Sequence, residues 1–489
     1  MAALGPERLR ETLAGTLGEH EVRRIHEDAL RVLDEVGLLI HDVEAVTRLT
    51  DVGARVHQED GRCRVTIPSH VVEDAVSEAP TVVTLYNRLG EEAMVLGAGR
   101  LHARSSSGAT AVLDRDGGQR REATYKDAAD AVRLADGLPN LHGVSTMAVQ
   151  PADVPASTVD VHTVRLALAN TTKPLGYVCL NEGLLEAVLA MVAAAAGGEK
   201  RLRDRPLITA LAESTSPLQL VSSQLAVLKA FASRRLPLTL HAHPMAGLTA
   251  PVTLAGELVI THAEVLALMT IAQLIEPGTP VVYGMSSSVP DMRNAANLSG
   301  AVEIGLLGVA VSQLARHCGV PCVVSSGSDA HRPGAQSMLE RLMTLLPPAL
   351  AGVDLINLST LETKMSFSLE QLVIDDAVVG RVQRYLRGIA VEEETLALDL
   401  TKQVGPGGSY VAEEHTLEHH RDELLTSELV EHQPREAWQA AGAPDLESRA
   451  REKAEHLLTV HRPSPLPPSV VGELDDIVQA VEHEVGSPW

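Results

Sequence analysis

Aromatic residues are scarce: two Phe, six Tyr and two Trp make up 2% of 489 residues. A cage of rings around a cationic ligand therefore has little to draw on, and only Tyr283 stands at the end of an apolar, strand-like run. Basic residues are also in deficit. Lys plus Arg total 41 against 64 Asp plus Glu, a formal charge of −23. That balance argues against a nucleic-acid partner and mildly favours cationic small molecules, with solubility as the plainer reading. Four cysteines, Cys63, Cys179, Cys318 and Cys322, fall in apolar or strand-like runs. With no N-terminal apolar signal segment before them, a reduced, cytoplasmic chain is expected. Cys318 and Cys322 lack the second pair that a zinc site needs, so core packing is expected there and no metal. No run reaches the ~18 uncharged apolar residues of a membrane span, so no membrane partner is expected. H-E-x-x-H, G-x-S-x-G, Walker and G-x-G-x-x-G motifs are absent, and zinc-protease, serine-hydrolase and nucleotide chemistries lose their usual signatures.

A hydrophobic content of 45% in a chain of this length supports a large core. The chain is organised around His241 to Arg293, where an apolar run ends in His241 and His243, a Pro/Gly/Thr loop follows, and some twenty helix formers come next. A second apolar run then ends in Ser286, Ser287 and Ser288. From Arg100 onward this strand-then-helix rhythm repeats eight times. Strands are expected within 101–106, 141–149, 174–180, 207–212, 236–241, 280–285, 321–326 and 353–358. Eight such pairs specify an α/β fold, a (β/α)₈ TIM barrel over residues 98–388. A small α+β domain is expected at 1–97, and at 389–489 a C-terminal helical extension with a loose, proline-rich tail that runs into a short terminal helix.

In such a barrel the strand ends converge on one mouth, where apolar strands give way to polar, small residues. His241 and His243 alternate along the chain, so only one is expected to face the lumen. Together with Glu213 they admit a metal-site reading, beside the plainer one of a hydrogen-bonded histidine. His415, His419 and His420 have metal-compatible spacing on an acidic helix, where a solvated face is the expected reading.

Several long runs carry a resemblance: PMAGLTAPVTLAGELV, VVYGMSSSVPDMR, NTTKP, SQLARHCGVP, the stretch MSFSLEQLVIDDAVVGRVQRYLRGIAVEEETLALDLTKQVGPGG, and TLEHHRDEL. Over residues 22 to about 458 the chain resembles the trimethylamine methyltransferase family. That resemblance implies a (β/α)₈ barrel that moves a methyl group from an amine to the Co(I) of a separate corrinoid protein docked over the mouth. The chain shows no corrinoid-binding Asp-x-His-x-x-Gly stretch, so cobalamin is expected on the partner, with none tightly bound here. The trimethylamine-specific members carry pyrrolysine and this sequence has none, which implies a quaternary amine of the glycine betaine kind. A homo-oligomer is expected.

On this reading Glu213, His241, His243 and Asp329 are the expected catalytic residues. Tyr283, Met285, Asn181, Asn357 and Glu362 are expected around the substrate, and Ser105, Ser106, Ser286, Ser287, Gly327 and His331 facing the corrinoid. Two other functions stay open: a metal-dependent barrel lyase or hydrolase built on His241, His243 and Glu213, and a non-catalytic binding protein for betaine-like solutes.

Overall fold

Short apolar runs bounded by Pro and Gly are too brief for helices and form strands, and the amphipathic stretches between them wrap back as helices. The computed structural model describes residues 16–59, 62–105, 108–114, 118–358, 360–427 and 429–486. Each of the eight expected runs coincides with one strand, two of which extend one residue further: β1 (His102–Ser105), β2 (Val144–Ser145), β3 (Leu175–Tyr177), β4 (Ile208–Glu213), β5 (Leu238–Ala242), β6 (Val281–Met285), β7 (Cys322–Ser326) and β8 (Leu355–Leu358). The helices that follow them are α1 (Tyr125–Gly137), α2 (Val159–Asn170), α3 (Leu185–Ala196), α4 (Ser222–Ala232), α5 (Leu254–Ile275), α6 (Val302–His317), α7 (Ala335–Leu350) and α8 (Leu369–Leu386). All eight strands lie side by side in parallel, and β1 meets β2 through a parallel bridge between Arg104 and Gly143. The sheet therefore closes on itself, as a (β/α)₈ barrel must.

The lumen changes character along its length. At the amino ends of the strands, Val282, Val323 and Leu355 pack against Val83, Leu85, Met94 and Leu96. The latter four come from a hairpin, Val83–Tyr86 and Glu92–Leu96, that plugs the barrel floor. Above the plug the inward positions turn polar, so cavity and core share one tube.

The N-terminal segment is not separate from the barrel. Its sheet of Leu38–Ile40, Arg55–Glu59 and Arg62–Thr66 gains a fourth strand, Gln219–Leu220, from the β4–α4 loop. Helix Glu19–Arg31 packs on α5 and α6. At that contact His26 Nδ1 lies 2.8 Å from His262 Nε2, and His262 Nδ1 lies 2.8 Å from the Tyr283 hydroxyl. Among the described residues, His26, His262 and Cys318 form the one grouping of three metal-type ligand atoms within 4.8 Å of one another. The two rings already hydrogen-bond each other. By length and composition α5 could cross a membrane, but 78% of its apolar window is buried inside the protein.

The tail runs without helix from residue 461 to 467. Residues 468–485 form one helix, Pro468–Val485, with Leu474, Val478 and Val481 buried. It packs on α3 and α2, and Glu482 and Asp475 meet His162 and Arg165 at 3.2 and 2.6 Å. Pro468 stands in the first turn, where the missing N–H is not needed, while Pro463, Pro465 and Pro467 precede the helix.

Tyr283 thus belongs to the clamp between barrel and N-terminal helix. Replacing it with phenylalanine leaves the buried His262 short of a partner, and Tyr283→Phe should lose about 1–3 kcal/mol of stability. Denaturant melts check the loss, and substrate KM should be unchanged.

Candidate active site

At the carboxyl ends of the strands a cavity of about 190 Å³ opens, lined by Arg104, Gly176, Thr209, Glu213, His241, His243, Asn357 and Lys364 among others. Two missing side chains shape it. A Cβ on Gly176 would lie 2.6 Å from Arg104 Nη1, and one on Gly284 would lie 2.1 Å from the His241 ring. The guanidinium and the imidazole occupy the space those side chains would fill.

Arg104 is buried, 6% exposed. Its Nε donates to Asn357 Oδ1 at 3.0 Å and its Nη1 to Thr209 Oγ1 at 2.8 Å. Burial lowers its pKa to about 10, and it stays charged at neutral pH. Glu213, at the end of β4, has a carboxylate oxygen 2.9 Å from His243 Nε2. Burial pushes its pKa up, but His243, His241 and Lys364 outweigh that and hold it at about 2. The loop after it is pinned by Glu264 of α5, which accepts from Ser214 Oγ, Ser216 Oγ and Leu218 N at 2.5, 2.7 and 2.7 Å.

His241 bonds Ser286 Oγ through Nδ1 at 2.9 Å, while its Nε2 is buried with no partner. Burial first, then the neighbouring His243, lowers its pKa to about 3. It is a neutral imidazole at pH 7. Lys364 reaches the cavity from the loop after β8 through three consecutive residues with positive φ, Glu362, Thr363 and Lys364 at 51°, 54° and 74°. Left-handed backbone at three successive non-glycine residues is costly and is held by surrounding structure. Burial lowers the pKa of the Lys364 ammonium, against the pull of Glu213.

The profile of the trimethylamine methyltransferase family (MTTB) matches residues 7–486. The chain belongs to the trimethylamine methyltransferase family. It is 35% identical over 478 residues to the trimethylamine methyltransferase MttB of Desulfitobacterium hafniense (strain DSM 10664 / DCB-2), covering 97% of this chain and 95% of that one. To the glycine betaine methyltransferase of Desulfitobacterium hafniense (strain Y51) it is 30% identical, over 96% of this chain and 98% of that one. The monomethylamine methyltransferase MtmB of Methanosarcina barkeri superposes with a TM-score of 0.46 at 10% identity, over 94% of this chain and 92% of that one.

In this member of the family the expected site residues divide into two groups. Glu213, His241, His243, Asn357, Ser105 and Ser286 line the cavity. Met285, Ser287 and Gly327 line an adjoining hollow of about 240 Å³, which shares His243, Ser286 and Lys364 with it. Both histidines reach the cavity, contrary to the alternation argument, because β5 ends at Ala242 and His243 already belongs to the loop.

The remainder lie elsewhere. Tyr283 pairs in register with Leu240, one residue out of step with lumen-facing His241, and turns outward to His262. Asp329 spends its carboxylate on Ser299 N, Ser299 Oγ, Gly300 N and Thr363 Oγ1, bracing two mouth loops. Asn181 caps a short turn, accepting from Gly183 N at 3.0 Å and donating to Ser157 O at 3.2 Å. Glu362 bonds His331 at 2.7 Å and Arg120 at 3.2 Å, with the His331 side chain 87% exposed. Ser106 is outside the described residues. Lys364 escaped the sequence reading, since nothing in STLETKMSFS announces a lysine turned inward by positive φ. Arg104 left a weak signal, a single cation inside an apolar strand.

Neutral His241 sets an acid response. The unfolded chain protonates this histidine below about pH 6.5 while the folded site resists protonation until about pH 3. Stability should therefore fall as pH drops through that window, this one group adding about 1.4 kcal/mol per pH unit. Melts of His241→Asn between pH 7 and 5 should show a slope shallower by about one proton.

Proposed function

We propose that this chain transfers a methyl group from a quaternary, or otherwise methylated, amine to the Co(I) of a separate corrinoid protein that covers the barrel mouth. The observation that carries the reading is an ionised, half-buried carboxylate, Glu213, in a cavity at the carboxyl ends of the strands of a chain matched to this family along nearly its whole length. The docked corrinoid supplies the cobalt nucleophile that takes the methyl group.

Everything else falls to the protein. Glu213 faces the cationic nitrogen and holds it in a lumen that water reaches from one side only. A quaternary nitrogen departs as a neutral tertiary amine, so no general acid is required, in keeping with a neutral His241. His241 and Ser286 instead fix the wall beside the reacting nitrogen. The rim of Ser286, Ser287, Ser288 and Gly327 carries no bulky side chain and leaves room for a flat macrocycle.

Mixed with quaternary amines, a cognate corrinoid protein and reductant, the chain should consume the Co(I) absorbance, and should be inert when the corrinoid protein is left out. Glu213→Gln should lower kcat/KM by roughly 100-fold, as loss of a buried, charged partner does. If no amine in the panel consumes Co(I), the assignment fails.

We further propose that the chain is a homo-oligomer through the end opposite the mouth. Helix α8 descends from the mouth, and beyond it helices Glu393–Leu396, Leu398–Val404 and Glu414–Glu423 bury none of their residues. Ile389, Val391, Val411 and Leu417 are 86%, 72%, 84% and 72% exposed there. A second copy on that face would cover this apolar surface and leave both mouths free. Sedimentation should give an oligomer that Ile389→Asp with Leu417→Asp converts to monomer.

A further inference from the structure

The contact between the N-terminal helix and the barrel gathers more metal-type ligands than packing requires. His26 comes from helix Glu19–Arg31, His262 from the middle of α5, and Cys318 caps the C-terminus of α6. His26 Nδ1, His262 Nε2 and Cys318 Sγ all lie within 4.8 Å of one another. His262 is fully buried, and Cys318 is a buried free thiol. The exposed His317, next to Cys318, sets its ring edge-on to that of His26, with centroids 4.8 Å apart. These residues come from distant parts of the chain, so no motif announces them.

The outer nitrogens of both rings already have oxygen partners. His262 Nδ1 lies 2.8 Å from the Tyr283 hydroxyl, and His26 Nε2 lies 3.7 Å from the carboxylate of Glu73, on helix Ser69–Glu78. A carboxylate only accepts, so it favours the His26 proton on Nε2 and leaves Nδ1 with a lone pair aimed at His262. An oxygen partner behind each imidazole is also how histidine ligands are oriented on a metal. We infer that His26, His262 and Cys318 form a binding site for a divalent cation of the zinc kind, which fastens the N-terminal helix to α5 and α6. Two imidazoles and a thiolate are a zinc-type donor set, with His317 or a water for the fourth position. The carbonyl end of α6, at Cys318, adds the negative pole of its helix dipole.

Little has to move. The inner nitrogens stand 2.8 Å apart, the length of a hydrogen bond. On a tetrahedral zinc ion with bonds of about 2.0–2.1 Å they stand about 3.3 Å apart, so the rings separate by about half an ångström. The bridging proton of His262 moves from Nε2 to Nδ1, where Tyr283 Oη accepts it, and Cys318 loses its thiol proton to solvent. The His26 side chain is 12% exposed and that of Glu73 61%, so the ion enters from this edge. The site lies outside the barrel wall, on the side to which Tyr283 turns, and takes no part in the lumen chemistry.

Calorimetric titration of the full, chelator-treated chain with zinc chloride tests the site apart from any reaction. A zinc ion should bind with loss of a proton, and Tm should rise with zinc concentration, as it does when a ligand binds only the folded state. Cobalt(II) in place of zinc should give the charge-transfer absorbance of a thiolate bound to cobalt, and Cys318→Ser should abolish it. Cys318→Ser and His26→Ala should each weaken zinc binding by at least roughly 100-fold, and Tyr283→Phe, behind His262, by roughly 10-fold. Should the buried Cys318→Ser fail to fold, His26→Ala at its half-buried position and the wild-type cobalt spectrum still decide. Zinc binding that survives either substitution in a folded chain belongs to other groups, such as His415 and His419 with ring centroids 4.3 Å apart, and overturns the inference. A cobalt complex without the thiolate band, or a chain that takes up no zinc, overturns it as well.

Discussion

A guanidinium buried inside a barrel, with no countercharge beside it among the described residues, constrains everything around it. Arg104 rises from β1 and crosses to β4, and each neighbour in between is adapted to it: Gly176 gives up its side chain, Asn357 and Thr209 supply neutral acceptors, and β8 holds Asn357 in register opposite Arg104. Removing such a charge from water is costly, and neutral hydrogen bonds recover only part of the cost. The same lumen holds a carboxylate, Glu213, whose pKa is drawn down chiefly by His243 against the opposing effect of burial.

The barrel reconciles this polar site with a stable fold by separating the two along its axis. A hairpin from the N-terminal segment closes the floor with Val83, Leu85, Met94 and Leu96, so apolar contact dominates at the amino ends of the strands. Glycine, threonine, asparagine and histidine take over toward the carboxyl ends. The mouth loops are braced by carboxylates that never touch the cavity: Glu264 beneath the β4 loop, Asp329 between the β6 and β8 loops, and Glu362 with His331 at the surface. The N-terminal helix is tied to the same scaffold through His26, His262 and Tyr283, the aromatic residue that a strand-end position made to look like a ligand contact.

Strand-and-helix rhythm and the carboxyl-end rule were legible in the sequence, because periodicity and turn residues are local properties. They led to the barrel, to the cavity residues Glu213, His241, His243 and Asn357, and to family membership through long contiguous runs. Asp329, Asn181 and Glu362 lie at strand ends as well, yet their oxygens are taken up by nearby backbone or surface partners. Position along a strand does not say how many donors a folded loop will bring to a carboxylate.

The sequence by itself determined eight parallel strand and helix pairs, a polar mouth and the family, for these rest on spacing and on runs of residues that survive without knowledge of neighbours. Only the tertiary structure decided which side of each strand faces inward, because a shift of one residue in register exchanges the two faces of every strand and sent Tyr283 outward while leaving His241 in the lumen. It alone brought Lys364 in from a left-handed turn and set Arg104 against the gap at Gly176. The charge of the cavity depends on those placements, which join residues more than 250 positions apart, beyond the reach of any local pattern.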